Sequence, residues 1–246
     1  MTASRSRAGP ADPGGRYGLL LLGLIAAYLL SAFNGGRLAA GLELGLVLVV
    51  LGLTLRTSPL PGRWLALTGA ATAAGSAAAV GGLLTGTPTG DGLAELWKAA
   101  VLLLAAALIV RRVLAQPTVT IQSIYGALSA YLVTGLMFAA CYAAMGYLMR
   151  SPFFADGQPA ATQTFQYFSF TTLTTLGYGD FTAAGDGGRA IAVIEALTGQ
   201  VYLATLVARL VAAYHMTARQ RGAGGAGGGD DDDAPGPADV TGRRRR

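Results

Sequence analysis

The chain contains the run Thr171-Thr172-Leu173-Thr174-Thr175-Leu176-Gly177-Tyr178-Gly179-Asp180, which brings together hydroxyls, backbone carbonyls, two glycines and a carboxylate. The chemistry this set suits is oxygen coordination. A dehydrated cation has to be surrounded by oxygens, and an extended segment can aim successive carbonyls at one axis. Gly177 and Gly179 supply the freedom this requires, because a residue without a Cβ takes positive φ at little steric cost and lets the backbone alternate its twist. Residues for other chemistries are lacking. There is no nucleophile motif and no constellation of His, Cys and carboxylates, with His215 the single histidine and Cys141 the single cysteine, so an enzyme is not expected. Cys141 reads as a small residue packed in a helix.

The surrounding elements must hold such a segment in place. The chain has 246 residues, 52% of them hydrophobic and 13% charged, with a mean hydropathy of +0.48. That is too apolar for a soluble domain and reads as an all-α, polytopic membrane protein in a lipid bilayer. Crossing a hydrocarbon core of about 30 Å takes about 20 mostly apolar helical residues. Six runs of that kind lie at 16–33, 38–55, 64–84, 93–114, 123–149 and 189–214. A shorter apolar stretch at 164–175 cannot cross and return, and predicts a re-entrant half-helix. Non-helical backbone at membrane depth is tolerated only where it is buried in protein or lines a watery path. The Gly-Tyr-Gly segment is therefore expected to line one. Arg5, Arg7 and Arg16 before the first run superficially resemble a signal peptide. Ser31-Ala32-Phe33-Asn34 lacks a small-x-small cleavage pattern, so the segment reads as a retained first helix.

Basic residues orient the spans. One side collects Arg5, Arg7, Arg16, Arg56, Arg63, Arg111, Arg112, Arg209, Arg219, Arg221 and Arg243 to Arg246, the other Arg37, Lys98, Arg150 and Arg189. Under the positive-inside rule both termini are expected in the cytoplasm and the re-entrant loop opens outward. The net charge of +5 is scattered between apolar runs, which suits membrane orientation and not nucleic acid. The third run is rich in small residues, which permits close helix packing. After Tyr214 come a Gly-rich stretch, Asp230 to Asp233, two prolines and a terminal Arg run, a composition that predicts a disordered tail. The Asp run lacks the spaced ligands of a calcium loop and reads as a solvated charge block.

Thr174-Thr175-Leu176-Gly177-Tyr178-Gly179-Asp180 resembles the selectivity filter of potassium channels, and the stretch from about Tyr125 to Tyr214 is similar to the bacterial ion channel family of outer helix, pore helix, filter and inner helix. The resemblance implies a homotetramer in the plasma membrane that conducts K+ ions. The carbonyls of Thr175, Leu176, Gly177 and Tyr178 and the Thr175 hydroxyl would be the ion ligands, with Gly179 completing the filter. Asp180 would sit just outside it, and Tyr167, Phe168 and Phe170 would pack against an outward-facing Tyr178. Leu176 stands where commoner members have Val or Ile, and Thr171 where some have a Glu that partners the aspartate. Gly199 corresponds to a gating hinge, or packs against the pore helix. Gln200, Leu203, Ala204, Val207, Ala208 and Val211 would line the cavity, with Val211 able to gate by dewetting. Glu195, an intramembrane carboxylate, is expected to hydrogen-bond behind the pore or to Gln200. His215 reads as an interfacial histidine, with pH sensing as the alternative.

The expected organisation is a cytoplasmic tail at 1–15, a four-helix domain at 16–115, a pore domain at 123–216 and a disordered cytoplasmic tail at 217–246. The four helices occupy the place of a voltage sensor. The fourth lacks regularly spaced arginines, with Lys98 near one end and only the adjacent Arg111 and Arg112 at the other, so weak voltage dependence is expected. No small-molecule substrate is evident. Competing readings are a non-selective cation channel, a non-conducting regulatory subunit and a potassium transporter. The last is disfavoured because transporters of that kind carry four pore loops in one chain.

Overall fold

The computed structural model describes residues 15–33, 45, 47–49, 51–52, 62–116, 119–149 and 151–225. They form α1 (Gly15–Phe33), α2 (Gly62–Thr85), α3 (Pro88–Ala115), α4 (Ile121–Leu148), a short 3-10 turn (Ala155–Gly157), α5 (Thr162–Leu173) and α6 (Asp186–Gly225). Among the described residues, four stretches are long and apolar enough to cross a membrane: Ala66–Thr85, Pro88–Ala115, Ile121–Leu148 and Asp186–Ala212. α1 matches the first expected run. Most of the second, 38–55, lies outside the described residues, as do the Asp and Arg runs of the C-terminal tail.

The helix boundaries follow local chemistry. α3 opens on Thr87, whose side chain accepts from the Gly90 N–H, with Pro88 in its first turn, where a missing N–H costs nothing. Asp91 in that turn and Arg112 in the last complement the helix dipole. α4 opens on a capping box between Thr120 and Ser123. α6 runs on to Gly225, into the segment expected to be a structureless tail. Met216-Thr217-Ala218-Arg219-Gln220-Arg221 includes good helix formers that extend the last turns, ahead of the Gly-rich stretch.

Within membranes helices associate through close packing and a few hydrogen bonds. α2 and α3 meet through small residues: a Cβ on Gly82 would fall 2.8 Å from the Gly90 carbonyl, and one on Gly75 would overlap the Trp97 ring. The Trp97 indole N–H donates to Ser76 Oγ at 3.2 Å. α3 packs along α4, joining Val101, Leu102, Ala105 and Ile109 to Ala127, Ala130, Val133 and Leu136 in one core with Leu20 and Leu24 of α1. α1 also reaches α5, where the Tyr28 and Phe170 rings meet edge to face at 5.1 Å. Residues up to Leu206 form one compact unit. From Val207 the chain forms a second, whose described part is the end of α6.

Candidate functional site

α5 is twelve residues long and ends where the Thr174 N–H bonds back to Phe170 O and Thr172 O. The next amides stay tied to that end: Leu176 N–H and Gly177 N–H both donate to the Thr171 carbonyl, at 2.8 and 3.1 Å. Beyond it, positive φ occurs at Thr175 (58°), Gly177 (52°) and Gly179 (79°), every second residue, with Leu176 and Tyr178 between them on the ordinary side. In a strand of uniform hand, successive carbonyls point to opposite sides. Alternating the hand turns them toward the same side, which is the backbone a row of oxygen ligands requires. The two glycines take this conformation freely, whereas Thr175 is β-branched and must be held in it.

Thr171 therefore supports this segment through its carbonyl and not as the partner of Asp180; its hydroxyl turns back to Phe168 O at 3.0 Å. Asp180 instead accepts from the Tyr167 hydroxyl at 2.8 Å. The Asp180 carbonyl accepts from the Gln158 amide. A two-way backbone clamp closes the loop, with Ala155 N–H donating to Thr182 O and Ala184 N–H to Phe153 O, both at 2.9 Å. Arg189 Nε adds a bond to Ala183 O.

The expected packing of Tyr178 on Phe168 and Phe170 is not made within the chain. Tyr178 is 67% exposed. Phe168 faces the other way, into a cluster of Tyr142, Phe153, Phe154 and Phe165, and Phe170 lies over Gly135 and against Tyr28. On a helix of 3.6 residues per turn these rings occupy the flank turned to α4 and α1, and they brace the helix rather than the tyrosine.

α6 approaches the base of the segment at Gly199, where an added Cβ would overlap the Leu173 carbonyl. The same carbonyl accepts from the Tyr131 hydroxyl at 3.2 Å. At Gly199 α6 packs against the end of α5, and the helix is continuous through it. One residue on, Gln200 donates through Nε2 to the Thr175 hydroxyl oxygen at 2.8 Å. Glu195 is fully buried. It accepts from the Tyr142 hydroxyl at 2.6 Å and meets Ser169 Oγ at 2.5 Å, behind α5. Of the two partners expected for it, the structure selects this side, and Gln200 is engaged elsewhere. Ser169 Oγ also lies 2.7 Å from the Gly135 carbonyl, linking α4, α5 and α6 at one point. Leu203 is exposed on α6; Val207 and Val211, in the second unit, are exposed as well. His215 lies within the helical run of α6.

Sequence reasoning missed Tyr131, Tyr142, Gln158, Ser169 and Tyr202, the last donating to Ala127 O at 2.6 Å. The available signal was the hydroxyl itself: a polar group in an otherwise apolar run needs a partner.

Residues 130–215 match a family model described as ion channel. No curated protein and no solved structure matches the chain. The matched stretch takes in most of α4, all of α5, the segment of alternating hand and α6 as far as His215. This is an all-α, multi-pass membrane protein, not an enzyme, and its residues 130–215 are an ion-channel pore domain.

Proposed function

We propose that the chain is one subunit of a homotetrameric channel conducting K+ passively across the plasma membrane, with weak or no voltage dependence. The observation that carries the reading is the alternation of positive φ at Thr175, Gly177 and Gly179 within Thr-Leu-Gly-Tyr-Gly-Asp, at the end of a half-helix in a pore domain. The transported K+ would be held by the carbonyls of Thr175, Leu176, Gly177 and Tyr178 and by the Thr175 hydroxyl. Carbonyl dipoles replacing a hydration shell select among monovalent cations.

One chain supplies oxygens from one side only, so several copies must surround the axis. The exposed apolar side chains agree with this: Leu176 is 56% exposed, and Val193, Ile194, Leu197 and Val201 lie open along α6. Six spans with both termini in the cytoplasm remain the topology that the basic residues favour. Leu176 contributes a carbonyl like any other residue, so its larger side chain alters packing around the filter and leaves selection to the oxygens.

Purified protein reconstituted in vesicles tests the reading. Rubidium uptake down a K+ gradient, and a reversal potential in planar bilayers that follows K+ and not Na+, are the expected results. A reversal potential indifferent to exchange of K+ for Na+ makes it a non-selective channel. Absence of any flux makes it a regulatory subunit.

A further inference from the structure

The Thr175 hydroxyl lies at the base of the filter, and Gln200 of α6 donates to it through Nε2. Resting on the channel reading, we infer that Gln200 is a positioning residue for the innermost cation site, fixing which way the Thr175 hydroxyl points. A hydroxyl has one proton and two lone pairs. The proton of Thr175 goes to the Thr174 carbonyl at 2.7 Å. Gln200 Nε2 occupies one lone pair at 2.8 Å. One lone pair remains, and a cation arriving from the inner side meets an oxygen whose proton is already committed elsewhere. Without the amide the bond to the Thr174 carbonyl still restrains rotation about Cβ–Oγ, but the hydroxyl can exchange that bond for an orientation that turns its proton toward the ion.

The second role of the bond is to the backbone. Thr175 is a β-branched residue at a φ of 58°, a conformation that persists only where the surroundings over-determine it. The Gln200 amide is one such restraint. Its reach depends on Gly199: with no side chain there, α6 packs directly on the Leu173 carbonyl, and the next side chain arrives at the filter base. Gln200 is exposed on a stretch of α6 that also exposes Leu197, Val201 and Leu203, so burial in this chain does not by itself account for an amide at that position.

The test uses the full-length protein in planar bilayers, with Ba2+ applied from the cytoplasmic side as the probe because it is a cation of similar size to K+ and doubly charged. Gln200→Met keeps the bulk and removes the donor. It is expected to weaken cytoplasmic Ba2+ block by up to about tenfold, the upper scale of one lost neutral hydrogen bond. Thr175→Val is expected to weaken it similarly, and the double variant no further. Thr175→Ser, which keeps the hydroxyl, retains block, and Gln200→Met on that background lowers it again. Should Gln200→Met fail to assemble, Gln200→Asn, one methylene too short to reach, gives the same loss. Unchanged block in a conducting Gln200→Met or Gln200→Asn channel overturns the inference, as do effects of Gln200→Met and Thr175→Val that multiply. A wild-type protein that carries no cation current fails the channel reading instead, and the inference falls with it.

Discussion

Glu195 is a fully buried carboxylic acid in α6. A carboxyl group far from water is destabilising unless its oxygens are bonded, and this one is met by Tyr142 and Ser169. Glutamine can serve both contacts, accepting from Tyr142 through its carbonyl and facing Ser169 with its amide. Glu195→Gln should therefore melt close to the wild type in detergent. Glu195→Ala should lose stability, by about 1–3 kcal/mol for each buried group left without its partner. Equal melting of both variants would show that the network holds nothing. Gly199 makes the second case at this scale. Gly199→Ala drives a methyl group into the Leu173 carbonyl and should abolish most of the flux, by forcing α6 away from α5. Gly187→Ala on the same helix is the control, since its Cβ would meet only Met145 Cε at an ordinary 3.6 Å and flux should persist.

The half-helix α5 leads directly into the segment of alternating hand, and a cluster of rings packs around it. Phe153, Phe154, Phe165 and Phe168 meet mostly edge to face, at centroid distances between 4.9 and 6.1 Å, and Phe154 and Phe165 are fully buried. Phe154→Ala should cost about 3–5 kcal/mol, the range for an emptied aromatic core site. Phe33→Ala, at a position 82% exposed, should be nearly neutral. Thermal unfolding of the two side by side measures the contrast, and similar melting temperatures would refute it. Hydropathy located α5, α4 and α6 to within a few residues, apart from the C-terminal extension of α6, because run length and the spacing of charges are properties of the linear chain. It could not assign the aromatics. A twelve-residue helix presents rings on several sides, and only the fold decides that Phe168 faces Tyr142 and Phe170 faces Tyr28 while Tyr167 turns to Asp180. The Thr171 carbonyl was illegible for a related reason, since every residue carries one and only geometry shows which accepts two amides.

For the molecule as a whole, the placement of charge along the helices bears on the proposed weak voltage dependence. The pore segment was readable because Gly177, Tyr178 and Gly179 sit between two long apolar runs, a placement visible without any fold. The helices ahead of the pore domain are characterised chiefly by what α3 lacks. Its charged residues at the N-terminal half are Asp91, Glu95 and Lys98, and the last two form a buried ion pair at 2.7 Å, one turn apart on the same helix. A pair fixed on one helix carries no net charge through a field when that helix moves. Arg111 and Arg112 remain, adjacent and at the opposite end, so they present no ladder of sites to exchange across the membrane. Each elementary charge crossing the full field contributes about 2.3 kcal/mol per 100 mV, and steep gating needs several per subunit. The conductance of reconstituted channels in symmetrical K+ should therefore change only gradually over the physiological range of potentials. Arg111→Gln combined with Arg112→Gln should leave that slope unchanged. A sigmoidal conductance–voltage curve that flattens in the double variant would place a voltage sensor in α3 and overturn this reading of the first helices.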